Sequence, residues 1–574
     1  MGKKIINGGE YLLRAVACSE VFTPEDFTDE HKQIAQTTED FVAAEIMPVN
    51  GRIEAKDFGL VLSKLKDCAE LGLMMIDAPE EYGGLELDKA TSMLVMEKMA
   101  YALNFGLTYM AHTGIGMLPL IYYGTARQKE RYLGRLIKAE MVGAYCLTEP
   151  GSGSDALGAT TTATLSADGS HYILNGTKQF STNSGFADLF TIFAKVDKVH
   201  FTAFLVERSF DGLGVGPEEK KMGLHGSSTR QVILENAKVP VENVLGEIGK
   251  GHKIAFNVLN VGRFKLGALC VGQMKYALAE AARYANERKQ FNTPIASFGA
   301  IREKLADVTA LAFASESVVY RLAGMIDARL AGIDRAIDNY YAEYQRGIEE
   351  YAAECALAKV FCSEAAARSI DEMLQVHGGY GYIAEYPIEQ LYRDERVQRI
   401  YEGTNEINRL LIPSLFMRKG INGAKLDPSF DAEPTGEYLG EKRLLQGMKR
   451  AYLALADKAL QIFGTKVAGE QEILLTLADA AIQTFALESA LLRAEKAAVL
   501  AGGDKVALYQ AVVKVCTFRA KQQFADAAEK CAVYLGDQAL LTTITVEITY
   551  NSGGLLAAKR LLADAVSQAE KYIF

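Results

Sequence analysis

A change of hydrophobic period divides this chain and limits what it can fold into. From about Gly143 to Glu247 the residues form short β-rich runs: Thr160 to Leu165, His171 to Leu174, Leu189 to Lys195, Phe201 to Glu207 and Gln231 to Leu234. Ala167-Asp168-Gly169 and Asn175-Gly176 separate runs as turn chemistry, the second reading as a hairpin. On both sides the spacing is helical. Thr23-Pro24-Glu25-Asp26 predicts an N-cap with proline at the first helical position, opening a helix to about Ile46 that Met47-Pro48 ends. From about Ile248 to Arg418 long alanine-rich and leucine-rich stretches predict a bundle. The expected fold is α+β and mainly α: an N-terminal arm over 1–22, a helical domain over 23–142, a β-barrel or sandwich over 143–247, and a four-helix bundle over 248–418. Residues 419–440, rich in Gly, Pro and Asp, read as a linker to an additional helical domain over 441–574.

Composition narrows the function classes. A chain of 574 residues, 49% hydrophobic, buries a core too large for one ordinary domain. A net charge of -10 argues against general attraction to nucleic acid or anionic lipid, and residues 421–574 hold 17 Lys plus Arg against 18 Asp plus Glu. Eight cysteines form no Cys-x-x-Cys pair and no zinc-type cluster, so neither disulfides nor a metal site is expected, and reduced thiols fit a cytoplasm. The first residues lack a signal-length apolar run, and no stretch predicts a membrane span.

The chemistry concentrates in four motifs. In Tyr401-Glu402-Gly403-Thr404-Asn405-Glu406 a carboxylate lies between the apolar pair Ile400-Tyr401 and a glycine that admits a ligand. Desolvation there would raise its pKa and strengthen it as a base. Tyr145 to Asp155 joins a strand end to a Gly and Ser loop, whose amides and small hydroxyls can approach a cofactor. Lys178-Gln179-Phe180-Ser181-Thr182-Asn183 follows; alone, Phe180 also fits a core aromatic on a strand. Glu287 to Phe291 carries Arg288, whose planar fork suits a diphosphate, although a charged run at a helix end also fits a solvated face.

In order and spacing, these motifs with Gln375-Val376-His377-Gly378-Gly379 resemble the acyl-CoA dehydrogenase family from about Thr23 to Arg418. With its extension the chain is most similar to the very-long-chain branch and its bacterial counterparts. The resemblance implies FAD held by Tyr145, Leu147, Thr148, Gly153 and Ser154, with Thr148 on the flavin pyrimidine side and Ser154 also near the CoA portion of substrate. It places Phe180, Ser181 and Thr182 beside the isoalloxazine ring, Phe180 standing where tryptophan is common in a chain that has no Trp. It brings Arg288, Gln290 and Phe291, with Gln375, Gly378 and Gly379, to the FAD pyrophosphate of a neighbouring subunit, and it adds Thr404 and Glu406 to the cofactor set. Glu402 becomes the base; the segment Asn260 to Arg263, which carries the base in some members, holds Gly262 at that position and no carboxylate. Asn260, Arg263 and Gly403 are the further substrate contacts, the alternative for Arg263 being a helix-surface salt bridge. His112 lines an acyl tunnel, His377 is structural, and Leu107 and Ala111 with Gly106, Gly114 and Gly116 leave room for a long chain.

The implied activity is oxidation of a long-chain fatty acyl-CoA to the trans-2-enoyl-CoA in fatty-acid β-oxidation, with electrons passing to an electron-transferring flavoprotein. An acyl-CoA oxidase and a non-catalytic scaffold of the same fold are the alternatives. The extension implies a homodimer in the cytoplasm, with leucines 444, 445, 453 and 455 packed on the body of the protein. Peripheral membrane attachment through Lys442, Arg443, Lys449 and Arg450 is the less favoured alternative.

Overall fold

The computed structural model describes residues 5–421, 427, 430, 432–501 and 503–574, leaving the middle of the expected linker outside the described residues. The chain divides into two compact units: Asp29–Lys265 with Ile333–Glu349, and Met1–Thr28 with Leu266–Gly332 and Glu350–Phe574.

In the first of these, helices precede a sheet of eight strands: β1 (Gly143–Cys146), β2 (Thr162–Leu165), β3 (His171–Thr182), β4 (Leu189–Val196), β5 (His200–Glu207), β6 (Leu213–Glu218), β7 (Thr229–Pro240) and β8 (Val244–Leu245). Their order is β6-β7-β3-β2-β4-β5-β8, and β1 pairs in parallel with β4. Alternation buries Phe190, Ile192, Phe204, Val206, Val232 and Leu234 in one apolar cluster. The Asn175-Gly176 pair is not a hairpin turn, contrary to the sequence expectation. β3 runs through it to Thr182, with a register shift between Leu174 and Gly176 against β7. The Asn175 side chain accepts from Asn236 N at 2.8 Å, and a Cβ on Gly176 would fall 2.4 Å from Thr161 Oγ1, so both residues serve a bulge rather than a chain reversal. Phe180, Ser181 and Thr182 therefore share a strand with Lys178.

The other unit is helical. Thr23 N donates to Asp26 Oδ2 at 2.8 Å, one half of a capping box, but this opens only the short turn Pro24–Asp26, and a separate helix begins at Asp29. The helices Gly299–Leu330, Ala352–His377 and Asn405–Arg418 belong to this unit, as does the part of Gly251–Glu287 from Leu266 on. So do the extension helices Leu439–Phe463, Gln471–Ala501, Gly503–Tyr534, Gln538–Glu547 and Leu555–Ala569.

Buried ion pairs link extension to bundle within this unit. Arg321 bonds Glu488 at 2.7 Å, and Glu316 lies between Lys275 at 2.5 Å and Arg493 at 2.6 Å. Such pairs specify packing geometry more than they add stability, because desolvation offsets much of their attraction. Leu444, Leu445, Leu453 and Leu455 are buried, and the neighbouring cations are paired: Lys442 with Glu495, Arg443 with Glu433, Lys449 with Glu488 and Arg450 with Glu547. Two helices, Gly251–Glu287 and Gln471–Leu500, are long and apolar enough to cross a bilayer, which the sequence reading did not anticipate. Their apolar windows are 83% buried in the protein, as core helices are.

Candidate active site

The loop after β1 is fixed from inside. Glu149 and Ser152 exchange backbone hydrogen bonds of 2.9 and 3.1 Å, closing a tight turn around Pro150-Gly151. The Glu149 carboxylate turns inward and accepts from Lys178 Nζ at 2.8 Å and from the Thr160 and Thr161 amides at 2.6 and 3.1 Å. Burial opposes its charge, but the bonds from Lys178 and Thr161 prevail and hold the carboxyl down to about 2. Lys178 Nζ also reaches Leu147 O at 3.3 Å, and Gln179 N donates to Thr148 O at 2.8 Å. Leu147 and Thr148 are thus tied to β3 beside Ser181 and Thr182. The Ser181 hydroxyl is buried beside the Cys146 thiol, while Ser154 and Gly153 are exposed at the loop tip. Phe180 lies at a second bulge, with φ 56° and 62% exposure, so it is not a core aromatic.

In the same unit, Arg263 Nη1 donates to Asn260 Oδ1 at 3.0 Å with both residues buried, so Arg263 does not lie on the helix surface as the alternative from sequence had it. His112 is a tie rather than a tunnel wall: Nδ1 accepts from Gly143 N at 3.0 Å and Nε2 faces Leu136 O at 3.0 Å. Burial lowers its pKa to about 4, so it is the neutral tautomer with the proton on Nε2. Gly106 and Gly116 leave no room for an acyl chain either. A Cβ there would fall 2.5 Å from Met99 O and 2.9 Å from Ala111 O, so these glycines serve close backbone packing. Gly114 alone of the three has space around it.

Arg288 and Gln290 flank the end of the Gly251–Glu287 helix, where Lys289-Gln290 pairs with Thr293-Pro294 in a small hairpin. Phe291, at its tip, has φ 52° and is 90% exposed. Arg288 and Gln290 line a cavity of about 600 Å³ with Tyr284, His377, Gly378 and Gly379. Gln375 is exposed on the helix leading to it. Cβ positions at Gly378 and Gly379 meet nothing within 4 Å, and Gly378 has φ 59°. A charged fork and bare backbone on one cavity have the donor chemistry that suits a diphosphate. His377 is structural, its Nδ1 2.8 Å from Met373 O and its ring stacked on Tyr284 at 4.4 Å.

Glu402 occupies the turn before the helix Asn405–Arg418, which Thr404 caps by accepting from Ile407 N at 3.3 Å. Glu402 and Gly403 are consecutive left-handed residues, with φ 56° and 79°. For a glutamate this conformation is disfavoured by on the order of 1–3 kcal/mol and persists only where surroundings enforce it. The enforcing donors converge on Gly403 O: Lys359 Nζ at 2.9 Å and Asn408 Nδ2 at 2.8 Å. Glu406 lies exposed in the first helical turn. Nearby, Glu395 is 2% exposed and burial pushes its carboxyl up to about 7, against the pull of Arg399 and Arg396.

Sequence profiles of this constellation match over most of the chain: the acyl-CoA dehydrogenase N-terminal domain over residues 28–140, the middle domain over 144–237, and C-terminal domains over 249–414 and 447–543. A probable acyl-CoA dehydrogenase of Bacillus subtilis is 43% identical over the full length of both chains. The chain belongs to the acyl-CoA dehydrogenase family. The human mitochondrial very long-chain specific acyl-CoA dehydrogenase is 37% identical over 74% of this chain and 69% of its own. A crystal structure of an acyl-CoA dehydrogenase complexed with FAD from Bacillus anthracis superposes with TM-score 0.96 at 44% identity, covering 99% of this chain and 100% of that one.

Sequence reasoning passed over the residues that hold this dehydrogenase's motifs in shape. Glu149 and Lys178 stand inside the quoted strings, where nothing in the polar neighbourhood of Lys178 marks it as buried. Lys359, in Ala358-Lys359-Val360-Phe361, does carry a signal, a lysine in an apolar stretch of helix.

Proposed function

We propose that this acyl-CoA dehydrogenase oxidises long-chain fatty acyl-CoA at Cα–Cβ, with Glu402 as the base. The observation that carries the reading is the enforced left-handed turn at Glu402-Gly403, because a glutamate with a strained backbone, kept so by donors to the Gly403 carbonyl, is better explained by function than by folding. FAD, when bound, supplies the acceptor for the β-hydride. Thr148, Ser181 and Thr182 would offer hydroxyls to its ring system, and Arg288, Gln290 and the Gly378-Gly379 backbone would hold the diphosphate of the FAD bound by a neighbouring subunit. Tyr145, Leu147, Gly153, Ser154, Phe180, Phe291, Gln375, Thr404 and Glu406 complete the proposed cofactor set. A Glu402 carboxylate oxygen takes the α-proton of the thioester while the Glu402 backbone N–H stabilises the charge developing on the carbonyl. Ser154, Asn260, Arg263 and Gly403 are the proposed substrate contacts.

The long-chain preference is supported by the very-long-chain relative and by the extension matched over 447–543. We further infer a cytoplasmic homodimer that passes electrons to an electron-transferring flavoprotein. A panel from butyryl-CoA to stearoyl-CoA, following bleaching of the flavin band, tests substrate class; fastest bleaching with C14 to C18 is expected, and a butyryl-CoA optimum contradicts it. Rapid oxygen reoxidation of the product-bound reduced enzyme would point to an oxidase instead.

A further inference from the structure

We propose that Asp479, on the extension helix Gln471–Ala501, is a positioning residue for the turn that carries Glu402. The inference rests on the reading of Glu402 as the base. A relay of hydrogen bonds runs from the extension to that turn. Arg409 donates through Nη1 and Nη2 to both oxygens of Glu364, at 2.6 and 2.8 Å, and through Nε to Asp479 Oδ1 at 2.7 Å. Glu364 Oε1 also accepts from Asn405 Nδ2 at 3.0 Å, and Asn405 Oδ1 accepts from Lys359 Nζ at 2.6 Å. The same ammonium holds Gly403 O. Lys359 and Asn405 are buried, so neither amide nor ammonium can be exchanged for water without loss.

Asp479 matters because of what else faces Arg409. A cavity of about 230 Å³ at this point is lined by Arg368, Arg409 and Arg519 and by only two carboxylates, Glu364 and Asp479. Arg519 has its closest carboxylate, Asp307, at 3.9 Å, beyond hydrogen-bond reach. Without Asp479, three guanidinium groups would compete for Glu364, whose side chain is 40% exposed and which shares a helix face with Arg368 four residues on. Glu364 turning outward would leave Asn405 Nδ2 with Ser363 Oγ at 3.1 Å as its remaining acceptor, loosening the amide whose Oδ1 anchors Lys359 and, through it, the left-handed turn. The extension thereby acts on proton abstraction without touching substrate.

The test uses the full-length, FAD-loaded enzyme and palmitoyl-CoA. Asp479→Ala is expected to lower the rate of flavin reduction per bound FAD about tenfold, since small misplacement of a reacting group has effects of that order. KM should not change, and the isotope effect with α-deuterated substrate should rise because proton abstraction becomes more limiting. Asp479→Glu should restore most of the rate, whereas Arg409→Lys, which keeps the charge and loses the fork, should match the alanine variant. Should Asp479→Ala fail to retain FAD, the near-isosteric Asp479→Asn is read in its place. A variant with lowered melting temperature but wild-type reduction rate per FAD overturns the proposal, as does a rise in KM at unchanged kcat. Glu402→Gln run in parallel separates the two claims: if it reduces flavin at the wild-type rate, the base assignment fails; if it is inactive while Asp479→Ala is normal, only the relay fails.

Discussion

The loop after β1 and the turn at Glu402 are both short, glycine-bearing segments, yet they are held by opposite means. The first is organised around one buried ion pair, Glu149 with Lys178, whose side chains are 4% and 0% exposed and whose partners all lie between residues 147 and 178. The second is held through its backbone carbonyls by Lys359 and Asn408, and through them by a relay extending to Asp479. A loop that only has to stay in place can be fixed by a local pair. The turn that holds a left-handed glutamate draws its donors from more than one element, Asn408 from the helix that follows it and Lys359 from a helix distant in sequence.

The largest effect that would break this comparison lies at the buried pair. Replacing Lys178 by Met leaves Glu149 buried without its cation and should destabilise the protein by about 3–5 kcal/mol, measured by urea denaturation. A loss within the range of a surface pair would mean that the loop is held elsewhere. Arg288→Ala comes next. Losing a charge-assisted contact to a diphosphate should weaken FAD retention by about 10- to 100-fold with the fold intact. Full flavin occupancy after extensive dialysis would contradict that role.

Buried carboxyls in the two regions also respond to pH in opposite directions. Glu149 is lowered to about 2 from its ordinary 4.5, so its contribution to stability is present above 4.5 and is lost as pH falls toward 2. Glu395 is raised to about 7, so its contribution is present below 4.5 and is lost as pH rises from there to 7. Glu395→Gln should therefore match wild type in melting temperature near pH 5 and exceed it near pH 8, by about 1–3 kcal/mol in stability. Equal melting temperatures at both values would show that Arg396 and Arg399 compensate the charge fully.

These contrasts explain what the sequence made legible. The helical, β, helical order, the Tyr145 to Asp155 string and the Tyr401 to Glu406 turn could be read because each is a local pattern. Asn175-Gly176 misled for the same reason: the dipeptide specifies positive φ, and only the pairing of β3 with β7 decides whether that bend becomes a turn or a bulge. Gly106 and Gly116 suggest space in the sequence, but whether a glycine admits a ligand or a neighbouring backbone is decided by the packing around it. The Asp479 relay links residues from 359 to 479, and no spacing rule joins a lysine on one helix to an aspartate 120 positions later. His112 is similar: its position in the sequence suggests a tunnel, whereas both ring nitrogens face backbone groups.

The central claim is that Glu402 removes the α-proton, and stopped-flow mixing of FAD-loaded Glu402→Gln with palmitoyl-CoA tests it most directly. The amide keeps the side chain's shape but cannot accept the proton, so the variant should stay yellow and bind substrate while flavin reduction slows by about 10²- to 10⁴-fold. Bleaching of the flavin at close to the wild-type rate would contradict the assignment.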